Sequence, residues 1–249
     1  MPIVRLDQAL VDRGLCESRE KAKRAVMSGE VTVNGQTARK PSEPVVQDDV
    51  LAIAAPEKFV SRGGYKLEHA LIHFGIDVSG QTAIDLGAST GGFTDCLLQR
   101  GAASVYAIDV GRGQLAWKLR RDPRVVVMER TNARDLSPVH FPTPFSPVDL
   151  VVIDCSFISL RKLIPPAIAL LRTSGKLIAL LKPQFEAGKA EADRGAGVIR
   201  DSAIHKRVVL ELKEFVAAQS GLQWVSVVES PLLGPAGNKE FLVLIEKNG

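Results

Sequence analysis

The sequence predicts an α/β protein in which a Rossmann-like, doubly wound sheet with a reversed edge strand follows a small α+β domain. Three observations predict this architecture. A short apolar segment, a Gly-rich turn and a helical pattern follow one another at residues 82–98. Strand and helix patterns then alternate as far as residue 181. The chain closes with two strand patterns that no helix separates.

Length and composition are those of an ordinary globular protein. A chain of 249 residues suffices for one large domain, or for a small and a medium one. Its residues are 45% hydrophobic and 24% charged, and no apolar run approaches the roughly 20 residues of a membrane helix. The first residues lack the basic and apolar regions of a signal peptide. We therefore expect no membrane association.

The cysteines and the net charge restrict the partners. Cys16, Cys96 and Cys155 are isolated, so they indicate reduced thiols in a cytoplasmic protein and neither a disulfide framework nor a metal site. The net charge of +4 permits a polyanionic partner without requiring one. The oligomeric state is left open.

The first predicted domain, residues 1–55, contains two short helices and a few short strands. Ser18 can cap the second helix, which ends at Gly29. Asn34-Gly35 is a strong hairpin-turn signal after a strand at 31–33. A second pair of strands is predicted at 45–46 and 50–53. A linker at 56–64 leads to the second domain, 65–249.

The second domain opens with an amphipathic helix at 67–74, with Lys66 at its first turn and off its apolar stripe. Residues 184–200 lack periodicity and predict a mobile lid. The other predicted elements are strands at 82–85, 105–109, 125–128, 149–154, 176–181, 224–228 and 241–245, and helices at 114–121, 163–171 and 208–216.

The Gly-rich turn after the first of these strands indicates a ligand site. Its pattern, Gly87-x-Ser89-x-Gly91-Gly92, differs from the dinucleotide-binding G-x-G-x-x-G. Asp85, just before the turn, suits an ammonium group better than a pyrophosphate. A tight strand–helix connection without a ligand is the structural alternative.

Polar residues at two further strand ends fit the same crevice. Asp109 ends the second strand, where an acid can accept hydrogen bonds from a ribose diol or cap the next turn. Asn132-Ala133 follows the third strand and is a candidate to flank an adenine. Phe93 fits either the core or a cofactor site.

Four charged residues are predicted near this crevice, namely Lys66, Asp154, Lys182 and Glu240. Asp154 and Lys182 end neighbouring parallel strands, whose tips converge. A structural ion-pair network is the alternative. A lysine accepts a proton near neutrality only if its pKa falls from about 10.4 to about 7–8. A neighbouring lysine would lower it and the two acids would raise it, and the sequence leaves this competition open.

The N-terminal residues Arg5-Leu6-Asp7, Ser18-Arg19-Glu20-Lys21-Ala22 and the segment 29–35 resemble the alpha-L RNA-binding module. In that module the second helix and the following turn contact RNA phosphates. The resemblance therefore implies RNA contacts from Arg5, Arg19, Lys23, Arg24 and Asn34. The alternative is a solvated helix face on which Glu20 pairs with Arg24 at i,i+4.

The chain as a whole resembles the TlyA-type, or hemolysin A, family of ribosomal RNA 2′-O-methyltransferases. The matching segments are 61–67, 85–95, 154–160, 182–186, 197–201 and 237–241. The second domain resembles the FtsJ-type RNA ribose methyltransferases, which have a class I methyltransferase sheet. Their catalytic Lys-Asp-Lys-Glu tetrad matches Lys66, Asp154, Lys182 and Glu240.

The resemblance implies S-adenosylmethionine-dependent 2′-O-methylation of a ribose, of a cytidine, in ribosomal RNA or a ribosomal subunit, with Lys182 taking or orienting the hydroxyl proton. It implies a cofactor site formed by Asp85, Gly87, Ala88, Ser89, Thr90, Gly91, Gly92, Phe93, Asp109, Val110, Asn132 and Ala133. The alternatives are a non-catalytic RNA-binding or ribosome-assembly protein, a membrane-active hemolysin as the family's older name suggests, and a nicotinamide-dependent enzyme.

Overall fold

The computed structural model describes residues 3–54 and 57–248 and divides into two compact units, Met1–Lys58 and Phe59–Gly249. This division differs from the predicted linker at 56–64. Phe59 is buried and packs edge to face against Tyr65, with 5.1 Å between the ring centroids. Residues 59–64 therefore pack within the second unit, while residues 55 and 56 lie outside the described part of the chain.

The first unit packs two helices on short strands around a small core. Its elements are β1 (Val4–Arg5), α1 (Leu6–Asp12), α2 (Arg19–Met27), β2 (Val31–Val33), β3 (Gln36–Thr37), β4 (Pro44–Val45) and β5 (Leu51–Ile53). The Ser18 hydroxyl caps α2 by accepting from the Lys21 N–H at 3.3 Å, as predicted. Asn34 and Gly35 both have positive φ angles, 51° and 80°, and form the predicted turn between β2 and β3.

The prediction that the strands at 45–46 and 50–53 pair with each other is wrong. β4 pairs with β1, and β5 pairs with β2. The reason lies in the intervening turn. The Asp49 carboxylate accepts from the Val46 N–H at 2.7 Å and from the Asn34 amide at 2.8 Å. These bonds hold the turn against the β2–β3 hairpin, so the chain leaves it alongside β2.

The second unit contains one seven-stranded sheet within residues 57–248, with helices on both faces. Its strands are β6 (Thr82–Leu86), β7 (Ser104–Ile108), β8 (Val125–Met128), β9 (Val148–Ile153), β10 (Leu171–Leu181), β11 (Leu222–Glu229) and β12 (Phe241–Lys247). Its helices are α3 (Gly63–His73), α4 (Gly92–Gln99), α5 (Trp117–Arg120), α6 (Ile164–Leu170), α7 (Pro183–Glu186), α8 (Lys189–Arg194) and α9 (Ser202–Ala217).

The strand order is β11-β12-β10-β9-β6-β7-β8, and β10 to β8 run parallel. The predicted doubly wound sheet with a reversed strand is confirmed, with one difference in position. The reversed strand is β12, which is antiparallel to both β10 and β11 and therefore lies next to the edge. This happens because the chain turns back after β11 and inserts β12 between it and β10.

Both faces of the sheet are buried, as expected for parallel strands. Ile84 and Leu86 of β6 point into a core shared with α6 and α9, whereas Ala83 points into a core shared with α3 and α4. Helices therefore pack on both faces of the sheet, and this packing fixes the positions of the strand ends.

The segment 184–200, predicted as an aperiodic mobile lid, is partly helical, since it contains the end of α7 and all of α8. Its end is anchored by the buried side chain of Asn238. The Asn238 amide oxygen accepts from the Ile199 N–H, and its NH₂ donates to the Gly197 carbonyl, both at 2.8 Å. Within the described part of the chain, every helix is too short or too polar to span a bilayer.

Candidate active site

The Gly-rich turn brings the ends of β6 and β9 into close contact. Gly87 has a φ of 86°, and a Cβ atom at this position would lie 2.7 Å from the Asp154 carbonyl oxygen. Only glycine tolerates both the conformation and the approach. Glycine at this position therefore allows the chain after β9, with Asp154, to pass directly against the end of its neighbour β6, which carries Asp85.

Asp85 is fully buried at this turn. One carboxylate oxygen, Oδ2, accepts from the Thr94 N–H at 2.9 Å and from its hydroxyl at 2.7 Å. The other, Oδ1, is buried and has no hydrogen-bond partner among the described residues. Burial raises the pKa of Asp85 to about 7. A carboxylate with one unpaired oxygen at a cavity wall fits the ammonium group that the sequence predicted here.

Asp109 follows β7 and fixes the Gly-rich turn to the next loop. Its carboxylate accepts from the Ser89 N–H at 2.8 Å and from the Gly111 N–H at 2.7 Å. Each oxygen keeps a further lone pair for a hydroxyl donor. Asn132 in turn accepts from the Arg134 N–H at 3.1 Å, so its side chain also orders a loop at the sheet edge.

All the predicted cofactor residues except Gly91 line two adjoining cavities. The smaller, of about 490 Å³, is lined by Asp85, Gly87, Ala88, Ser89, Thr90, Gly92 and Phe93. The larger, of about 1130 Å³, is lined by Asp109, Val110, Asn132 and Ala133, and shares Gly87, Ser89, Asp154 and Ser156 with the smaller one. Gly91 lines neither cavity, because its free side faces Leu115 and Leu119. Phe93 belongs both to the cavity wall and to the core.

Lys66, Asp154, Lys182 and Glu240 all line the smaller cavity. They meet there because of the strand directions. Asp154 and Lys182 follow the C-terminal ends of the parallel strands β9 and β10. Since β12 is reversed, its N-terminal end, and with it Glu240, lies at the same edge of the sheet. Lys66 reaches this edge from the first turn of α3.

The four charges form two ion pairs. Lys66 Nζ lies 2.5 Å from Glu240 Oε2, and Lys182 Nζ lies 2.7 Å from Asp154 Oδ1. The first pair is almost completely buried, with side-chain exposures of 8% and 1%. The Asp154 side chain keeps 23% exposure and faces the cavity. Each lysine is therefore held by an acid. A substrate in solution reaches the Lys182–Asp154 pair more easily than the Lys66–Glu240 pair.

The family model of FtsJ-like methyltransferases matches residues 59–247, which include every residue of the two cavities. The chain belongs to the FtsJ-like methyltransferase family. The model of the S4 domain matches residues 4–51, within the first unit.

Relatives that align along most of the chain support this assignment. YqxC of Bacillus subtilis (strain 168), named as an rRNA methyltransferase, is 49% identical over 96% of this chain and 84% of its own. The 16S/23S rRNA (cytidine-2′-O)-methyltransferase TlyA of Mycobacterium tuberculosis (strain H37Rv) is 46% identical over 96% of this chain and 88% of its own. A solved structure named as a hemolysin from Streptococcus thermophilus matches with a TM-score of 0.74 at 44% identity, over 100% of this chain and 90% of that one.

Two features of this FtsJ-like methyltransferase were missed by reasoning from the sequence. The Ser156 hydroxyl accepts from Lys182 Nζ at 3.0 Å, and its place two residues after Asp154 was the available signal. Phe157 has a φ of 64° and is 90% exposed at the larger cavity, 5.2 Å from the Phe185 ring. Nothing in the local sequence pattern indicates its exposure.

In the first unit of the methyltransferase, the cations predicted to bind RNA differ in their ion pairs and exposure. Arg5 and Arg19 both bind the carboxylate of Asp7. Lys23 pairs with Glu20 at 3.1 Å, so the alternative pairing of Glu20 with Arg24 is not what the structure shows. Arg24 is exposed.

Asn34 differs from these cations, because its side chain serves the fold. Its amide NH₂ donates to Asp49 and its oxygen accepts from the Val50 N–H, each at 2.8 Å. Across residues 3–54 and 57–248, no three His, Cys, Asp or Glu side chains come together in an arrangement that could hold a metal ion.

Proposed function

We propose that this protein transfers a methyl group from S-adenosylmethionine to the 2′-hydroxyl of a cytidine ribose in ribosomal RNA, alone or in a ribosomal subunit. The observation that carries the proposal is the Lys182–Asp154 pair in the cavity that also contains Asp85 and the Gly-rich turn. The names of the relatives, which specify cytidine 2′-O-methylation of rRNA, support the substrate. Such a substrate implies a cytoplasmic location.

The cofactor residues divide between the two cavities. Asp85 receives the ammonium group on its unpaired oxygen, and Asp109 receives the ribose hydroxyls. Asn132, Ala133 and Val110 flank the adenine, while the turn from Gly87 to Gly92 lies along the methionine part. When bound, S-adenosylmethionine supplies an electrophilic methyl group on its sulfonium.

Lys182 orients the acceptor hydroxyl. An ammonium group has three N–H donors, and here two of them are directed to Asp154 and Ser156. The third donor is left for the ribose oxygen. Asp154 and Ser156 hold Lys182, so the hydroxyl is aligned before the methyl transfer. As the ribose oxygen bonds to the methyl carbon and the bond from that carbon to the sulfonium breaks, the hydroxyl proton passes to the Asp154 carboxylate, which faces the cavity. Positioning of this kind accounts for most of the expected acceleration.

Lys66 and Glu240 form the wall behind this pair. Because Lys66 neutralises Glu240 and Lys182 neutralises Asp154, these four side chains together carry no net charge. The first unit holds the RNA by its phosphates through Arg5, Arg19, Lys23 and Arg24, while Asn34 shapes the turn between β2 and β3. Binding energy from that unit offsets the cost, of about a few kcal/mol, of unstacking the target nucleotide.

Replacement of Lys182 tests the proposal. Lys182→Ala is expected to lower methyl transfer to unmethylated rRNA by at least about 100-fold, the lower range for a group that assists proton transfer. Calorimetric binding of S-adenosylmethionine should persist, and NAD should not bind. Lys213→Ala removes an exposed lysine of α9 as the control and should be active.

Mass mapping of rRNA ribose methylation, with and without the protein, identifies the nucleotide. Full activity of Lys182→Ala would remove this residue from the mechanism. Absence of any ribose methylation by the unaltered protein would overturn the proposed function.

A further inference from the structure

Asp7 is a buried carboxylate that holds two surface arginines. Its side chain is 0% exposed, although it is charged. Arg5 binds it with two parallel hydrogen bonds, Nε to Oδ1 and Nη2 to Oδ2, both at 3.0 Å. Arg19, from the neighbouring helix α2, binds Oδ2 through Nη2 at 3.2 Å. The two arginine side chains are themselves half exposed, 50% and 48%.

This arrangement differs from two ion pairs on and beside α2. In the pairs Lys21–Glu17 and Lys23–Glu20 the acid is the more exposed partner. Such pairs present both charges to the solvent. In the Asp7 cluster the acid lies inside and the cations lie outside, so a ligand in solution meets two positive groups and does not reach the negative one.

The arginines keep most of their hydrogen-bonding capacity. Two guanidinium groups carry about ten N–H donors, and Asp7 accepts from three of them. The remaining donors lie in two planes whose positions are fixed by one shared carboxylate. Planar, bidentate donors of this kind match the oxygens of a phosphate group.

A purely structural role for Asp7 would not require two arginine partners. An acid in the first turn of α1 is favourable by itself, because it faces the positive end of the helix dipole. That effect does not need a bidentate arginine from one side and a second arginine from another helix. The hydrogen bonds from Arg5 lower the pKa of Asp7 to about 2, so the carboxylate stays ionised at any physiological pH.

We propose that Asp7 is a positioning residue that fixes Arg5 and Arg19 as a two-pronged receptor for RNA phosphates. The inference rests on the proposed function, in which the first unit binds rRNA. It goes further in assigning a role to an acid, a residue type that by charge alone would weaken RNA binding.

The sign of the effect of Asp7→Asn on affinity tests the inference. This variant removes one buried negative charge and so raises the net charge of the protein by one, and electrostatics alone therefore predicts tighter binding of unmethylated rRNA transcribed in vitro. Positioning predicts binding about tenfold weaker, because two rotamer-rich side chains must then be ordered on binding. Glu20→Gln is the matched control: it makes the same charge change on α2, where the acid is exposed. This control should bind as the unaltered protein does or more tightly.

Arg5→Lys provides a second measurement if Asp7→Asn does not fold. Lysine keeps the charge but cannot span both carboxylate oxygens. Positioning predicts weaker rRNA binding with an unchanged net charge, and a charge effect predicts no change. A double-variant cycle adds Arg19→Gln, which should cost less affinity in the Asp7→Asn background than alone.

The outcomes separate the inference from the proposed function. Equal or tighter rRNA binding by a folded Asp7→Asn variant, or unchanged binding by Arg5→Lys, would overturn the role of Asp7 while methyl transfer still supports the enzyme. Absence of rRNA binding by the unaltered protein would overturn both.

Discussion

Lys66 and Glu240 are 174 residues apart in the sequence, and their side chains form a buried ion pair with 2.5 Å between Nζ and Oε2. The pair joins the first helix of the second unit to the start of its last strand. It thus connects the two ends of the methyltransferase domain at the wall of the smaller cavity.

Removal of one member of this pair should be far more costly than removal of both. Glu240→Gln leaves the Lys66 charge buried without compensation, and we expect a loss of about 3–5 kcal/mol in the free energy of unfolding. The double variant Lys66→Met/Glu240→Leu should recover most of the lost free energy of unfolding. It should still lack methyl-transfer activity. Urea unfolding of the full chain measures the first effect, and methyl transfer to rRNA measures the second.

Glu229→Gln is the control for this comparison, because its partner Lys239 and Glu229 itself are both half exposed. Surface pairs contribute about 0–1 kcal/mol. Equal losses for Glu240→Gln and Glu229→Gln would contradict the assignment of the buried pair as a structural support of the site.

Cofactor binding should weaken in acid because of Asp85. Its pKa is raised to about 7 by burial, and an ammonium ligand requires the ionised form. The affinity for S-adenosylmethionine should therefore decrease as the pH falls below about 7. Titration calorimetry from about pH 5 to about pH 8, in steps of about half a pH unit, measures the affinity on both sides of the Asp85 pKa. Asp85→Asn should bind weakly with no such dependence.

The stability of the free protein should change in the opposite direction. A raised pKa means that the folded state binds the proton more tightly than the unfolded chain, so the free energy of unfolding rises as the pH falls from about 7 towards 3.8. Asp135→Asn, at an exposed acid, is the control and should leave both profiles unchanged. A wild-type affinity that stays constant across this range would contradict the role of Asp85.

Gly87→Ala should disturb the site through a steric clash. The new Cβ atom would meet the Asp154 carbonyl oxygen at 2.7 Å, and the strand ends would have to separate. Gly113→Ala is the control, since Gly113 has a similar φ of 73° but open space around it. Strain from the positive φ should be common to both variants. Only Gly87→Ala is expected to lose methyl transfer, and similar activities would show that the close approach is unimportant.

Ser156→Ala should weaken the orientation of Lys182. A hydrogen bond to a charged group contributes about 1.5–3 kcal/mol, so we expect kcat to fall by about tenfold or more while cofactor affinity is kept. Ser156→Thr should restore activity because it retains the hydroxyl. Ser159→Ala is the control from the same loop, because its hydroxyl donates to Glu186. Equal activity of the two alanine variants would argue against the role of Ser156.

Local patterns in the sequence were sufficient for most elements and for the charged side chains that line the smaller cavity. A strand, a turn and a helix follow one another within residues 82–98, and this pattern predicts a ligand site at the Gly-rich turn and Asp85. Asp154, Lys182 and Glu240 were found at strand ends, a position that the chain order alone defines. The Gly-rich turn and the strand ends can be predicted because each is defined by residues that are close together in the sequence.

The sequence by itself therefore determined most of the elements and the edge of the sheet at which Asp154, Lys182 and Glu240 lie. Only the tertiary structure decided how those charges pair, since it set Lys66 against Glu240 and Lys182 against Asp154. It also decided that β4 pairs with β1, and that Asp7 is buried beneath two arginines. The physical reason is that burial and pairing depend on contacts between distant segments, which are fixed only when the whole core packs.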